Sequence, residues 1–209
     1  MRMFLIYFWI YYIASTLGSL IETFWILYKF KRLEKRTSVI YGYHVPIYGL
    51  AAVLLVLIVD ATNLDSWFYL FFFGFVISSF IEYFASLLQE KIFKTMSWNY
   101  FDFKFNLHGR VNLLYSILFG ILSYSLYELI LDPLKSYFIS VELTNVFVKG
   151  SLLLVAFVLI DYIISIVATF RWTKRQSNTA VENKYWEKFD KIYNNKRMHN
   201  TYPSMVYLK

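Results

Sequence analysis

The 209-residue chain is 58% hydrophobic and 22% aromatic, with only 17% charged residues and a formal net charge of +7. So large an apolar fraction exceeds what the core of a small soluble domain can bury, which excludes a soluble single-domain enzyme and a disordered protein. The sequence contains no cysteine, which excludes disulfides, thiol catalysis, iron–sulfur clusters and cysteine-based zinc sites.

Five segments are long and apolar enough to cross a bilayer, because a spanning helix needs roughly 20 mostly apolar residues. In chain order they are residues 3–28, 40–59, 67–88, 111–131 and 149–170. The second is interrupted by Gly42, Pro46 and Gly49, and backbone broken at membrane depth must be covered by protein or by a water-filled cavity. The sequence therefore predicts an all-α, polytopic membrane bundle of about five transmembrane helices over residues 1–170.

The basic residues of the connecting segments are distributed unevenly between the two sides of this bundle. Of the 21 Lys and Arg residues, residues 29–39 carry five, residues 89–110 carry four and the tail from residue 171 carries nine. The other side holds Arg2, Lys135 and Lys149. Because cytoplasmic loops carry an excess of Lys and Arg, we predict a protein of the cell membrane, embedded in the lipid bilayer, with its N-terminus outside and its tail cytoplasmic.

Two cytoplasmic segments are long enough to have a structure of their own. Residues 89–110 are rich in aromatic side chains, which favour the membrane interface, so we expect an interfacial loop that caps the bundle. In the basic tail, residues 171–209, apolar side chains from Val181 to Tyr193 recur with helical period, and Thr179 and Glu182 have the spacing of a capping box. The tail is predicted to form an amphipathic helix, either on the inner leaflet or packed on the cytoplasmic loops.

The first and third predicted spans each carry one glutamate on a face of small and polar residues. Glu22 and Glu82 both lie six residues before the cytoplasmic end of their span, which at about 1.5 Å per residue is roughly 9 Å inside the inner half of the bilayer. Arg110 begins the fourth span on the same side, where its guanidinium can pair with either acid. Intramembrane charges usually mark functional sites, so we predict a ligand, ion or proton site, with a network that only fastens the helices together as the alternative.

Five stretches over residues 15–130 follow, in order, the short motifs of one bacterial family. They are Glu22, Gly42 with Pro46-Ile47-Tyr48-Gly49, Glu82-Tyr83 with Glu90, Trp98 with Tyr100, and Phe105-Asn106-Leu107-His108-Gly109-Arg110. On these residues the chain resembles the family called Putative ABC-transporter type IV (CmpB), whose name implies a permease. Asn99 and Phe101 replace the Asp and Ser of the family's Trp-Asp-Tyr-Ser motif, so any chemistry of that Asp is missing here.

The motifs and the polar residues together define a set of candidate ligand-binding residues at the cytoplasmic end of the bundle. The set is Glu22, Tyr48, Glu82, Tyr83, Glu90, Trp98, Tyr100, Asn106, His108 and Arg110. We predict a permease-like protein that binds a small or amphiphilic ligand in a polar inner vestibule. Two alternatives stay open, an accessory or regulatory membrane protein that binds a partner and an intramembrane enzyme that acts on a lipid headgroup, although no known catalytic motif supports the enzyme.

Cofactors and partners are predicted from the same residues. The sequence has no Gly-x-x-x-x-Gly-Lys-Ser/Thr motif, so an ABC system would need a separate ATPase subunit, docked on the cytoplasmic loops and tail. His44 and His108 are of a type more often hydrogen-bonded than metal-bound, and we predict no metal and no cofactor. The basic, aromatic loop suits a membrane interface better than single-stranded nucleic acid, so no nucleic-acid partner is predicted.

Overall fold

The computed structural model describes residues 1–181 and 183–208, and helices dominate it. The helices are α1 (Arg2–Phe30), α2 (Pro46–Thr62), α3 (Trp67–Phe93), α4 (Leu113–Leu126), α5 (Asp132–Ser140), α6 (Asn145–Gln176), α7 (Lys184–Ile192) and α8 (Asn195–Thr201). Within the described ranges the strands form two short antiparallel ladders, β1 (Thr95–Met96) with β4 (Val206–Tyr207) and β2 (Asn106–Leu107) with β3 (Val111–Asn112). The prediction of an all-α helical bundle is confirmed.

Four helical rods of the described chain are long and apolar enough to cross a membrane, namely α1, α3, the rod Leu113–Ser140 and α6. The second predicted span does not reach that length, because α2 begins at Pro46 and has 17 residues. Val45 before it is extended, with φ −121°, which is the conformation that a following proline ring favours. The chain thus has four helices of spanning length together with α2, a shorter apolar helix that also runs from one end of the bundle to the other, and the number of about five spans stays a prediction.

The rod Leu113–Ser140 is longer than the predicted fourth span because a π-helical turn joins α4 to α5. This turn covers Tyr127–Leu131 and comes just before Pro133, which has no amide hydrogen to donate to the preceding turn. The amide of Asp132 instead donates to the carbonyl of Tyr127, five residues back. The wider turn accommodates the proline ring, and the helical rod continues beyond the predicted end at residue 131.

One end of the bundle gathers the C-termini of α1, α3 and α6 and the N-termini of α2 and α4, and we call it the basic end because the Lys- and Arg-rich segments lie there. The half of the bundle away from this end, called the aliphatic half, is filled mostly by aliphatic side chains, with aromatic ones such as Tyr127 and Phe138 among them. Its fully buried members include Ile6, Ile10, Val56, Leu70 and Leu131. Because lipid is as apolar as these side chains, van der Waals packing holds this half together more than transfer from water does.

The outward faces of the long helices expose large apolar side chains. Leu153 on α6 is 73% exposed, and Phe72 on α3 and Ile163 on α6 are also exposed. A soluble protein rarely exposes contiguous apolar surface of this kind, whereas contact with lipid tails accounts for it. These faces and the four spanning-length rods make the chain a membrane protein.

The tail folds back onto the basic end of the bundle. α6 continues to Gln176, beyond the predicted span end at residue 170. Three buried side chains of the tail pack with Ile40 and with residues of α6: Tyr193, Met198 and Tyr202. The tail ends as strand β4 beside β1, where the amide of Leu208 donates to the carbonyl of Lys94 at 2.7 Å. Phe189 of the amphipathic helix also packs against this cluster of buried side chains.

The amphipathic helix of the tail begins later than its sequence suggested. Glu182 of the expected capping box lies outside the described residues. α7 starts after Asn183, whose side-chain oxygen accepts hydrogen bonds from the amides of Tyr185 and Trp186 at 3.1 and 3.0 Å. Asparagine is among the preferred N-cap residues because it satisfies amides that have no partner in the first turn.

Candidate functional site

A cavity of about 770 Å³ lies inside the basic end of the bundle. Its wall is mostly apolar and is formed by α1, α2, α3, α4, α6, the loop after α3 and residues 201–205 of the tail. The charged side chains on this wall are Glu22, Lys35, Arg36 and Glu82. Small-molecule pockets typically measure roughly 300–1,000 Å³ and combine apolar walls with a few polar groups, so the cavity has the size and lining of a ligand site.

Glu22 of α1 has both carboxylate oxygens bonded at the cavity wall. The Tyr48 hydroxyl donates to Oε1 at 2.7 Å, and Nε of Arg36 donates to Oε2 at 3.1 Å. Tyr48 approaches α1 closely because Gly18 has no Cβ, and a Cβ at that position would overlap the Tyr48 ring. The first predicted acid is therefore neutralised by a cation from the loop that follows its own helix.

Arg36 lies on the cavity wall, although its position in the sequence indicates only a charged loop. The loop folds back against α1, where the Ser19 hydroxyl donates to the Arg36 carbonyl and the Arg36 amide donates to the Thr23 hydroxyl at 3.2 Å. Its guanidinium also contacts Ser204 of the tail. The clue in the sequence was that five basic residues follow closely after the span that contains Glu22.

Glu82 of α3 lies on the same wall but is only half satisfied. The side chain is 6% exposed, and the Tyr100 hydroxyl donates to Oε1 at 2.9 Å. Oε2 has no hydrogen-bond partner within the described residues. A buried carboxylate with unused acceptor capacity is costly unless a proton, a cation or another donor completes it.

Tyr100 is held at Glu82 by the folded loop between α3 and α4. Its amide donates to the Gly109 carbonyl at 2.8 Å, and its ring stacks on Tyr115 with centroids 5.0 Å apart. Burial, together with the neighbouring Glu82 carboxylate, raises the pKa of the Tyr100 phenol well above its usual range. Tyr100 therefore stays protonated at neutral pH and acts as a hydrogen-bond donor to Glu82.

Arg110 pairs with Glu90 and not with Glu22 or Glu82. Its Nη1 also donates to the Ser86 hydroxyl at 3.1 Å, and this pair lies off the cavity wall. The physical reason is the position of the helix start, since α4 begins only at Leu113, after Asn112 has capped it, and Arg110 belongs to the preceding hairpin. Glu22, Glu82 and Arg110 therefore do not form the predicted single network. Glu22 pairs with Arg36, and Arg110 pairs with Glu90.

The remaining predicted residues divide between the cavity and the loop. Trp98 lines the cavity and donates from Nε1 to the Arg110 carbonyl at 3.0 Å. Asn106 organises the loop, donating to the Phe103 carbonyl and accepting from the Gly109 amide, each at 2.8 Å. The Tyr83 hydroxyl and His108 Nδ1 are 3.0 Å apart on the exposed side. Of the ten candidates, five meet at the cavity: Glu22, Tyr48, Glu82, Trp98 and Tyr100.

A second buried polar cluster beside the cavity fixes the loop that leads into α2. Asp161 of α6 is 1% exposed and accepts the amides of Tyr41 and Gly42 at 3.1 and 2.6 Å. His44 is fully buried next to it, and neither ring nitrogen is hydrogen-bonded within residues 1–181 and 183–208. Gly42 is required at this contact, because a Cβ there would overlap the His44 ring.

A known protein family matches most of the helical bundle. The model of a family described as "Putative ABC-transporter type IV" matches residues 9–166. This range holds Glu22, Arg36, Tyr48, Glu82 and Tyr100, whereas the tail residues on the cavity wall lie beyond it. No curated protein and no solved structure matches the chain.

Proposed function

Because the chain belongs to the Putative ABC-transporter type IV family, we propose that it is a multi-pass, permease-like protein of the cell membrane that binds a small or amphiphilic ligand in its cavity. The observation that carries this proposal is that two acidic side chains, Glu22 and Glu82, face one mostly apolar cavity within the spanning region. Ionisable groups at such depth are expensive and mark substrate or ion pathways by default.

The proposed orientation places the basic end at the cytoplasm. It rests on the 18 basic residues of the segments at that end, against Arg2, Lys135 and Lys149 at the other. With this orientation the N-terminus is outside, the tail is cytoplasmic and the cavity lies in the inner half of the bilayer.

The proposed energy source is a separate ATPase subunit, which the family name and the missing P-loop motif both support. Its docking surface would be the cytoplasmic loops and the tail. The outer face of α7 offers such a surface, since Tyr185 is 85% exposed there while Phe189 packs against the bundle.

Headgroup chemistry is less well supported than ligand binding. That alternative needs a histidine as acid and Arg110 as phosphate holder near a glutamate of the site. The candidate acids are His44 and His108, and neither lines the cavity; His108 contacts Tyr83 on the exposed side, and Arg110 is engaged by Glu90 off the wall that carries Glu82.

The proposal is tested with inside-out membrane vesicles from the source organism, which contain any separate ATPase. Vesicles with the wild-type chain, with Glu82→Gln or without the chain are incubated with a small-molecule cell extract, with and without ATP, and their contents are compared by mass spectrometry. We expect at least one compound whose amount inside the vesicles changes with the wild type and not with Glu82→Gln, because the substitution removes the buried acid. An ATP requirement would support the ATPase partner, and identical contents in all three preparations would contradict the permease.

A further inference from the structure

We propose that the cavity recognises a primary ammonium group attached to an apolar body, and that this ammonium donates to the Glu82 carboxylate. Such a group is carried both by small apolar amines and by aminophospholipids, which share this chemistry. The inference rests on the proposed ligand-binding function of the cavity and adds the class of ligand.

The first argument is the difference between the two glutamates of the cavity. Glu22 is complete, since Tyr48 and Arg36 occupy its two oxygens. Glu82 receives one neutral donor, Tyr100, and its Oε2 is buried without a hydrogen-bond partner in the described residues, while the side chain as a whole is 6% exposed. A buried carboxylate of this kind is stabilised most by a cation that also donates a hydrogen bond, which a primary ammonium does.

The second argument is that the protein's own cations on this wall are engaged elsewhere. Arg36 bonds to Glu22, to Ser204 and, at 3.6 Å, to Glu34. Nζ of Lys35 donates to the Gly42 carbonyl at 2.8 Å. Neither cation is bonded to Glu82 in the structure, so its unfilled acceptor remains for a ligand.

The third argument is the lining around Glu82, which suits an amine with an apolar body. The Tyr100 and Tyr115 rings stack on each other near the carboxylate, and Phe119 contacts the Tyr48 ring edge-on at 6.1 Å. Aromatic faces attract ammonium groups, and the aliphatic wall of Ile81 and Leu122 accepts a hydrocarbon chain. An anionic ligand would instead be repelled by the Glu82 carboxylate.

The inference is tested by binding of octylamine, octanoate and 1-octanol to the full chain in phosphatidylcholine nanodiscs, using isothermal titration calorimetry with empty discs subtracted. The three probes share one chain length and differ in the head group. We expect octylamine to bind the wild type about tenfold more tightly than either other probe, and Glu82→Gln to lose about that factor for octylamine alone. The matched control is Glu142→Gln, an exposed acid at the opposite end of the bundle, which should bind octylamine as the wild type does.

A second variant keeps the test decisive if Glu82→Gln does not fold. Ala85 lies on the cavity wall one turn from Glu82, and Ala85→Phe fills the space while leaving the carboxylate in place. We expect Ala85→Phe to abolish octylamine binding in a chain that unfolds at the wild-type temperature.

The two sources of the ammonium are separated by the composition of the nanodiscs. Replacing part of the phosphatidylcholine with phosphatidylethanolamine should weaken the apparent octylamine affinity of the wild type if the lipid itself occupies the site. An unchanged affinity would assign the site to a soluble amine, and both results support ammonium recognition.

Equal affinities of octylamine and octanol, or an octylamine affinity unaffected by Glu82→Gln, would overturn the inference. If octanol or octanoate binds and Ala85→Phe removes that binding, the cavity is a ligand site of different chemistry, and the proposed function stands without the ammonium. If no probe binds, the ammonium inference fails, whereas the vesicle experiment with cell extract decides the permease independently.

Discussion

At the scale of single residues, the buried histidine beside Asp161 lies in an aromatic environment that disfavours its charged form. His44 lies between the rings of Tyr12 and Tyr162, with centroids 5.9 and 5.3 Å away. Burial lowers its pKa below the ordinary value of 6.5; the charge of Asp161 opposes this shift and that of Lys35 adds to it. His44 is therefore neutral in the folded protein at neutral pH.

This burial predicts how stability depends on pH. The pKa of His44 is lower in the folded chain than in the unfolded chain, so the unfolded chain binds the proton more readily. The contribution of neutral His44 to the stability of the fold is therefore complete above pH 6.5 and is lost as the pH falls below that value. One such group changes the free energy of unfolding by at most about 1.4 kcal/mol per pH unit. Thermal unfolding in detergent between neutral and mildly acidic pH measures the slope.

The matched variants for this measurement are His44→Phe and His199→Phe. His44→Phe keeps a ring between the two tyrosines and removes the titrating group, so the decline on acidification should become shallower. His199 is exposed on α8, and its replacement should leave the slope unchanged. A wild-type slope retained in His44→Phe would show that another group is responsible.

Residue by residue, the sequence identifies acids of the site better than their partners. Glu22 and Glu82 stand out because a charge within an apolar span has few structural reasons to be there. The partner of Glu22 depends on how far the loop after α1 folds back, and no local pattern specifies that Arg36 reaches it. The partner of Arg110 depends on the start of α4, which is set by the cap at Asn112, and helix boundaries are poorly defined by periodicity.

At the scale of elements, the tail is a part of the cavity wall and not a separate appendage. Strand β4 pairs with β1 in register, Thr95 with Tyr207 and Met96 with Val206, which draws residues 201–205 across the cavity. A two-residue strand has almost no propensity signal, and its pairing with a segment more than a hundred residues away is a tertiary effect. The sequence therefore predicted the amphipathic helix of the tail but not the closing strand.

The closing strand leads to a prediction about access to the cavity. The chain has no cysteine, so Ala85→Cys introduces a single label site on the cavity wall. Truncation after residue 201 removes β4 and four wall residues, and we expect Ala85→Cys to react several-fold faster with a small methanethiosulfonate reagent in the truncated chain.

The control for this prediction is Ile77→Cys on the same helix. Ile77 belongs to the aliphatic half of the bundle, so its reactivity should stay low with or without the tail. Equal reaction rates of Ala85→Cys in the two chains would show that the tail does not restrict the cavity, and a parallel rise at Ile77→Cys would indicate general unfolding.

At the scale of the whole molecule, four helices of spanning length and the shorter α2 form one bundle. One half of it has an apolar core, and the other half contains the cavity. Apolar length alone predicts the rods, because hydropathy over about 20 residues integrates many side chains and tolerates local error. The second segment forms a shorter helix than its apolar length predicts, since apolar residues before Pro46 continue the composition of a span without continuing the helix. Fold class is thus readable from composition, while the depth at which a helix begins depends on single residues.

The proposed orientation predicts which segments face each side of the membrane. Asn63→Cys lies in the exposed turn after α2, and Tyr185→Cys lies on the exposed face of α7. In intact cells we expect a membrane-impermeant maleimide to label Asn63→Cys and to reach Tyr185→Cys only after permeabilisation, because positively charged segments stay in the cytoplasm. The reverse labelling pattern would contradict the proposed orientation.

The aliphatic half of the bundle also affects the passage of ions across the membrane. An ion transferred from water to a medium as apolar as the layer around Ile10, Val56 and Leu131 faces a barrier of order 20 kcal/mol by idealised solvation. In the proposed orientation, this apolar layer lies between the cavity and the outer surface and insulates the two compartments from each other. For the proposed permease, a ligand could cross only when this apolar layer rearranges, so ion leakage and transport would depend on the same movement.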